Sequence, residues 1–184
     1  MNWHQVSLDS IAPGAWRNGG GTTRELLAWP NAGDWNVRVS VADVERNGPF
    51  SAYPGVSRWF AVLAGEGVKL DIGGAAHMLD PASEPLQFEG ATPVRCELTG
   101  GATQDFNLML RGRAGRLERV RGLHERACRK GALAGVYSHE HEVSFFAVQV
   151  RIVIPPRTLA WGLVPTDERI DFATDGALWF EVQP

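Results

Sequence analysis

The chain has 184 residues, of which 44% are hydrophobic and 21% charged, with a formal net charge of −3. That balance excludes a disordered chain. A scatter of single arginines with no basic run between aromatics excludes the electrostatic footprint of a nucleic-acid binder.

In chain order, the first feature is the run from Trp16 through Arg17, Asn18, Gly19, Gly20, Gly21, Thr22, Thr23 and Arg24 to Glu25. It reads as a glycine-rich turn flanked by two guanidiniums. Glycine allows close backbone approach and positive φ, exposed amides in such a turn form anion-binding nests, and arginine adds a fork matched to carboxylates. Residues 35–42 then alternate as a strand, with Trp35, Val37, Val39 and Val41 on one face and Asn36, Arg38 and Ser40 on the other. If the apolar face is a sandwich core, Arg38 is an exposed strand residue. If the sheet curls into a small barrel, the polar face lines a pocket. The sequence leaves both open.

Residues 58–64 read as the next strand, ending at Gly65 and Gly67. Residues 68–72 and 75–79 form a hairpin about Gly73 and Gly74. Strands follow at 86–89, 94–98 and 105–110. Residues 111–131 are the most basic part of the chain, and Gly112, Gly115 and Gly122 argue against a long helix. That segment reads as a solvated connection or surface strand, with an anionic partner site as the alternative. Strands resume at 143–150 and 177–182, with Pro155 and Pro156 breaking the ladder between them. Short strands between glycine and proline punctuation predict an all-β chain built as a sandwich or barrel.

Other chemistries are weakly supported. The glycine triplet lacks the lysine-serine/threonine ending of a phosphate loop and no helix is expected after it. His139 and His141 have the spacing of a metal pair on a strand, but the partner carboxylate is missing and an exposed turn between Ser138 and Val143 suits them better. No metal and no cofactor are therefore expected. Cys96 and Cys128 read as buried free thiols. The N-terminus has no signal-peptide pattern and no apolar run approaches the roughly 20 residues of a membrane span. The expectation is a cytoplasmic chain without membrane or nucleic-acid partners.

Four segments together resemble the HutD/Ves family. They are the Trp16–Glu25 run, the stretch Gly48-Pro49-Phe50-Ser51-Ala52-Tyr53-Pro54-Gly55-Val56-Ser57-Arg58, the 35–42 strand with its Arg38-Val39-Ser40 centre, and Gly101 through Asp105-Phe106-Asn107 to Met109. Order and spacing agree over most of the chain, less so in the last third. Tyr53 at the aromatic position and Gln104 before Asp105 are the departures.

The resemblance implies a bicupin, two cupin-type β-barrels packed together from one chain without the cupin metal ligands. The halves fall at about 1–110 and 111–184, with exchanged strands. It also implies a link to bacterial histidine utilisation as a modulator that binds a small carboxylate or a formimino or formyl amino acid. Arg58 is then the carboxylate clamp, with Arg17, Asn18 and Arg24 at the same mouth and Arg38 and Ser40 inside. Asp105 holds an arginine in place and Asn107 reads an amide. Asp105 and Asn107 serve equally well as a polar network bridging turns. The alternatives are a metal-free isomerase or hydrolase acting on a small anion, with an Asp105–arginine pair or His77 as acid–base group, and a Ves-like, stress-related interaction protein. A homodimer through an exposed strand edge is a further expectation for so β-rich a chain.

Overall fold

The computed structural model describes residues 2–147 and 150–184. The chain is all-β, with cupin-like barrels as its architecture. A first strand, β1 (His4–Ser7), leads into a single 3-10 turn at Leu8–Ser10. Then come β2 (Gly14–Ala15), β3 (Gly21–Trp29), β4 (Val37–Val44), β5 (Gly48–Pro49), β6 (Val56–Ala64), β7 (Val68–Ile72), β8 (Ala75–Leu79), β9 (Leu86–Glu89), β10 (Val94–Leu98) and β11 (Thr103–Arg111). The remainder supplies β12 (Gly115–Cys128), β13 (Leu133–Ser138), β14 (Val143–Ala147), β15 (Val150–Ile154), β16 (Thr158–Leu163) and β17 (Glu168–Val182).

Contacts divide the chain into two units, residues 11–112 and residues 1–10 with 113–184. In the 11–112 unit one sheet runs β2-β3-β4-β11-β6-β9 and a second runs β5-β10-β7-β8. Ala42, Val44, Phe60 and Val62 of the first sheet share one core with Val68, Leu70, Val94 and Cys96 of the second. The inner face of the six-stranded sheet is therefore the face that carries Ser40, Ala42 and Val44. Val37, Val39 and Val41, on the other face of β4, are fully buried as well. Strand β4 thus buries both faces, and the choice left by its alternation resolves to the curled sheet, polar face inward.

In the other unit the sheet order is β1-β16-β13-β17-β14-β15, with β12 paired to β17. Strand β17 carries this unit. Its second half pairs with β13 and its first half with β14. The basic segment expected as a connection or surface strand is the 14-residue β12, paired along β17 with a register shift between Val120 and Gly122. Gly122 has φ +73°, the left-handed backbone such a bulge favours, so its glycine shapes the strand rather than ending it. The 143–150 strand is found as β14 up to Ala147, and residues 148–149 lie outside the described residues.

The glycine triplet has a structural explanation. A Cβ on Gly21 would sit 2.1 Å from the carbonyl oxygen of Asp43, so β3 can approach β4 there only as glycine. Gly19 has φ +67° and donates its amide to the Trp16 carbonyl at 3.0 Å. The Gly20 amide donates to Asn18 Oδ1 at 3.0 Å. With these amides already used, the anion nest anticipated from sequence is replaced by a tight turn that opens β3.

Candidate functional site

Inside the 11–112 unit lies a cavity of about 470 Å³. Strand alternation explains its lining. Strand β3 contributes Thr23 and Glu25, β4 Arg38 and Ser40, β6 Arg58 and Phe60, and β11 Asn107 and Met109, each set two residues apart on one face. The β2–β3 turn adds Trp16, Arg17 and Asn18, and the segment after β5 adds Phe50, Ser51 and Tyr53.

Arg58 is the distinctive group. It is 6% exposed and makes no ion pair among the described residues. Nη2 donates to Asn107 Oδ1 at 3.0 Å, while Nε is buried without a hydrogen-bond partner. The guanidinium carbon lies 5.5 Å from the Phe50 ring centre, 5.7 Å from Tyr53 and 5.1 Å from Phe88. These faces offer quadrupole attraction but no counter-ion. Burial lowers its pKa to about 10, with Tyr53 raising it and Arg38 lowering it further. The group remains a cation at neutral pH, held in an aromatic cradle.

Arg38 is different. Its Nε donates to Glu25 Oε2 at 2.5 Å, so that pair is locally neutral. Ser40 is 4% exposed and lines the wall beside it. Arg17 and Asn18 are exposed at the rim. Trp16 is held over that rim by its indole N–H, which donates to Thr23 Oγ1 at 2.7 Å, and by an edge-on contact with Phe50.

Of the residues proposed from sequence, Arg17, Asn18, Arg38, Ser40, Arg58 and Asn107 share this cavity. Arg24 does not line it. Its side chain is on the other face of β3 and pairs with Asp43 at 2.6 Å. Burial raises the Asp43 pKa, but hydrogen bonds from Gln104, Arg24 and Thr22 outweigh this and leave it lowered. Asp105 is fully buried one step deeper on β11. It holds no arginine: Oδ2 accepts from Thr103 Oγ1 at 2.8 Å and Oδ1 has no partner. Desolvation pushes its pKa up to about 7 despite the Thr103 hydrogen bond, with Asp43 adding to the rise.

Sequence reasoning missed Glu25, Trp16, Phe50 and Tyr53 as lining groups. The alternation of Thr23 and Glu25 was the available signal, had the run after the glycines been read as a strand. No group of three or more His, Cys, Asp or Glu side chains among the described residues is placed to hold a metal. His139 and His141 fall in the turn after β13.

The HutD family model matches residues 9–178, and the chain belongs to that family. Protein Ves of Cronobacter sakazakii is 44% identical over 97 residues, covering 52% of this chain and 54% of that protein. The chain spans about half the length of the curated relatives it matches. The structure of HutD from Pseudomonas fluorescens SBW25, in a formate condition, superposes with a TM-score of 0.85 at 23% identity, covering 99% of this chain and 98% of that one. A cupin 2 conserved barrel domain protein from Leptotrichia buccalis superposes at 0.59 with 8% identity, covering 97% and 95%. Among the described residues no helix is long and apolar enough to cross a membrane.

Proposed function

We propose that the 11–112 unit binds a small anionic carboxylate, with Arg58 as the clamp and Asn107 beside it as the reader of an amide or formimino group. The observation that carries the reading is a buried guanidinium with no acidic partner, facing a cavity of about 470 Å³. Burying an unpaired charge is costly, and a bidentate carboxylate supplies the missing counter-charge and hydrogen bonds. Arg38 is neutralised by Glu25 and shapes the wall, while Arg17 adds positive charge at the rim. The formate condition named for the Pseudomonas fluorescens HutD structure is in keeping with a ligand of this class. On this reading the chain acts in histidine utilisation as a sensor or modulator rather than as a catalyst.

The test is calorimetric titration with formate, urocanate, formiminoglutamate, formylglutamate and histidine, on wild type and Arg58→Met. Saturable binding of one of them, lost in a folded Arg58→Met, is the expected result. Heat that continues after saturation identifies turnover and an enzyme. Silence from all five compounds defeats the reading.

A further inference from the structure

We propose that Asn107 and Ser40 select for a carbonyl oxygen, so that the ligand of this cavity is a carboxylate that also carries an acyl group, such as an N-formyl amino acid, and not its formimino counterpart. This rests on the carboxylate-pocket reading above and narrows it.

The hydrogen-bond polarity of the site follows from one contact. Arg58 Nη2 lies 3.0 Å from the Asn107 side-chain amide. A guanidinium carries donors and no acceptor, so the amide atom turned toward it must be the oxygen. Oδ1 and Nδ2 branch from one planar carbon, and the amide N–H2 is therefore turned away from Arg58. Strand β11 lies between β6 and β4. The residue opposite Asn107 on β4 is Ser40. Side chains directly opposite on one face stand about 5 Å apart at Cβ. The Ser40 hydroxyl and the Asn107 amide are thus neighbours on the cavity wall.

Neither of these donors is used by the fold. Among the described residues, Asn107 Nδ2 and Ser40 Oγ make no hydrogen bond. Both side chains belong to buried residues, 6% and 4% exposed. Polar groups placed there give up water without gaining a protein partner. A ligand acceptor restores both bonds, because the amide nitrogen has only donors to offer and the hydroxyl can turn its proton the same way.

An acyl oxygen fits this pair and an amidinium does not. A formimino group is protonated at neutral pH and presents donors alone, so it sets N–H against N–H at Asn107. It also brings a second cation toward Arg58, where like charges repel. The carboxylate that could draw it in is Glu25, opposite Ser40 on β3. Its Oε2 is held by Arg38. On the β6 side, the residue opposite Asn107 is Phe60, which offers no hydrogen bond.

Three dicarboxylates on one five-carbon chain test the selection: formylglutamate, formiminoglutamate, and glutarate, which lacks the nitrogen substituent. Glutarate has the same charge as formylglutamate, so net charge cannot separate those two. Calorimetric titration at neutral pH should find formylglutamate bound about tenfold or more tighter than either of the others. In Asn107→Leu, close in size and without donors, its advantage over glutarate should fall to about threefold or less. Ser40→Ala should reduce the advantage in the same direction, and thermal melting establishes that each variant is folded. Equal wild-type affinities for formylglutamate and glutarate, a preference for formiminoglutamate, or a preference that survives in the folded variants overturns the selection and leaves the carboxylate pocket standing. Absence of binding by all three and by formate overturns both.

Discussion

The interiors of the two units show what the same kind of sheet can be used for. In the unit formed by residues 1–10 and 113–184, the buried cluster is built from apolar and aromatic side chains, and the buried Glu181, on the Trp179 face of β17, is paired with Arg116 at 2.9 Å. Phe172 sits 5.8 Å from Phe145 and 5.3 Å from Trp179, with Val120, Val136 and Ile154 closing the cluster. In the 11–112 unit the corresponding inward positions of β4, β6 and β11 include Ser40, Arg58, Asp105 and Asn107, and a cavity remains. One interior stabilises by close packing and area burial. The other gives up part of that stabilisation to hold polar groups out of water, which folding alone does not reward. A cavity lined by Arg116, Cys128, Glu168 and Glu181 lies in the unit of residues 1–10 and 113–184 too, but there the buried Glu181 is paired with Arg116, so it is the unpaired Arg58 that marks the 11–112 unit as the candidate site.

The largest effect expected from breaking the contrast is in the packed interior. Trp179→Ala removes a fully buried indole and should lower unfolding free energy by about 3–5 kcal/mol. Chemical denaturation reads it, and formate affinity of the folded protein should not change. In the polar interior Arg58→Met should do the reverse. It deletes an unpaired buried charge, so stability should hold or rise by about 1–4 kcal/mol, while anion binding falls by roughly 2–5 kcal/mol. Thermal melting beside calorimetry distinguishes the two outcomes.

The pH dependence sharpens the comparison further. The folded pKa of Asp105 is raised from 3.8 to about 7. Its neutral form supports the fold fully below the unfolded value, and that support is lost as pH rises from about 4 through about 7. Asp105→Asn should therefore stabilise the protein more at pH 8 than at pH 4, by a few kcal/mol at most. Urea midpoints at the two pH values measure the difference. A substitution outside both interiors should do least. Arg24 and Asp43 form a partly exposed pair, and Arg24→Gln should cost about 1 kcal/mol or less and leave formate affinity unchanged.

Legibility in the sequence followed punctuation. Strands β7, β8, β9 and β10 were bounded correctly because Gly73-Gly74 and nearby prolines mark their ends. Strand β3 was lost because its opening glycine belongs to a run that reads as loop, although Gly21 is needed for close approach to β4. Residues 111–131 read as a connection or surface strand rather than as a paired β12, and β17 reads as 177–182 alone, since Gly122 and Gly176 lie within a ribbon that tolerates them. The same loss of β3 explains the errors at the site. Arg24 and Glu25 are neighbours on opposite faces, so reading the segment as a turn placed Arg24 at the mouth and overlooked Glu25. Arg58 was legible because its motif fixes it two residues into a strand. Its aromatic cradle was not, because Phe88 comes from a strand 30 residues on.

The central claim is that Arg58, alone among the arginines of the 11–112 unit, is waiting for an anion. Side-chain Nε–H resonances followed by NMR during formate addition test it directly. The account predicts a saturable shift at Arg58 Nε, now buried without a partner, and none at Arg24, already paired with Asp43. A flat Arg58 resonance, or weak non-saturating shifts spread over the exposed arginines, would contradict it.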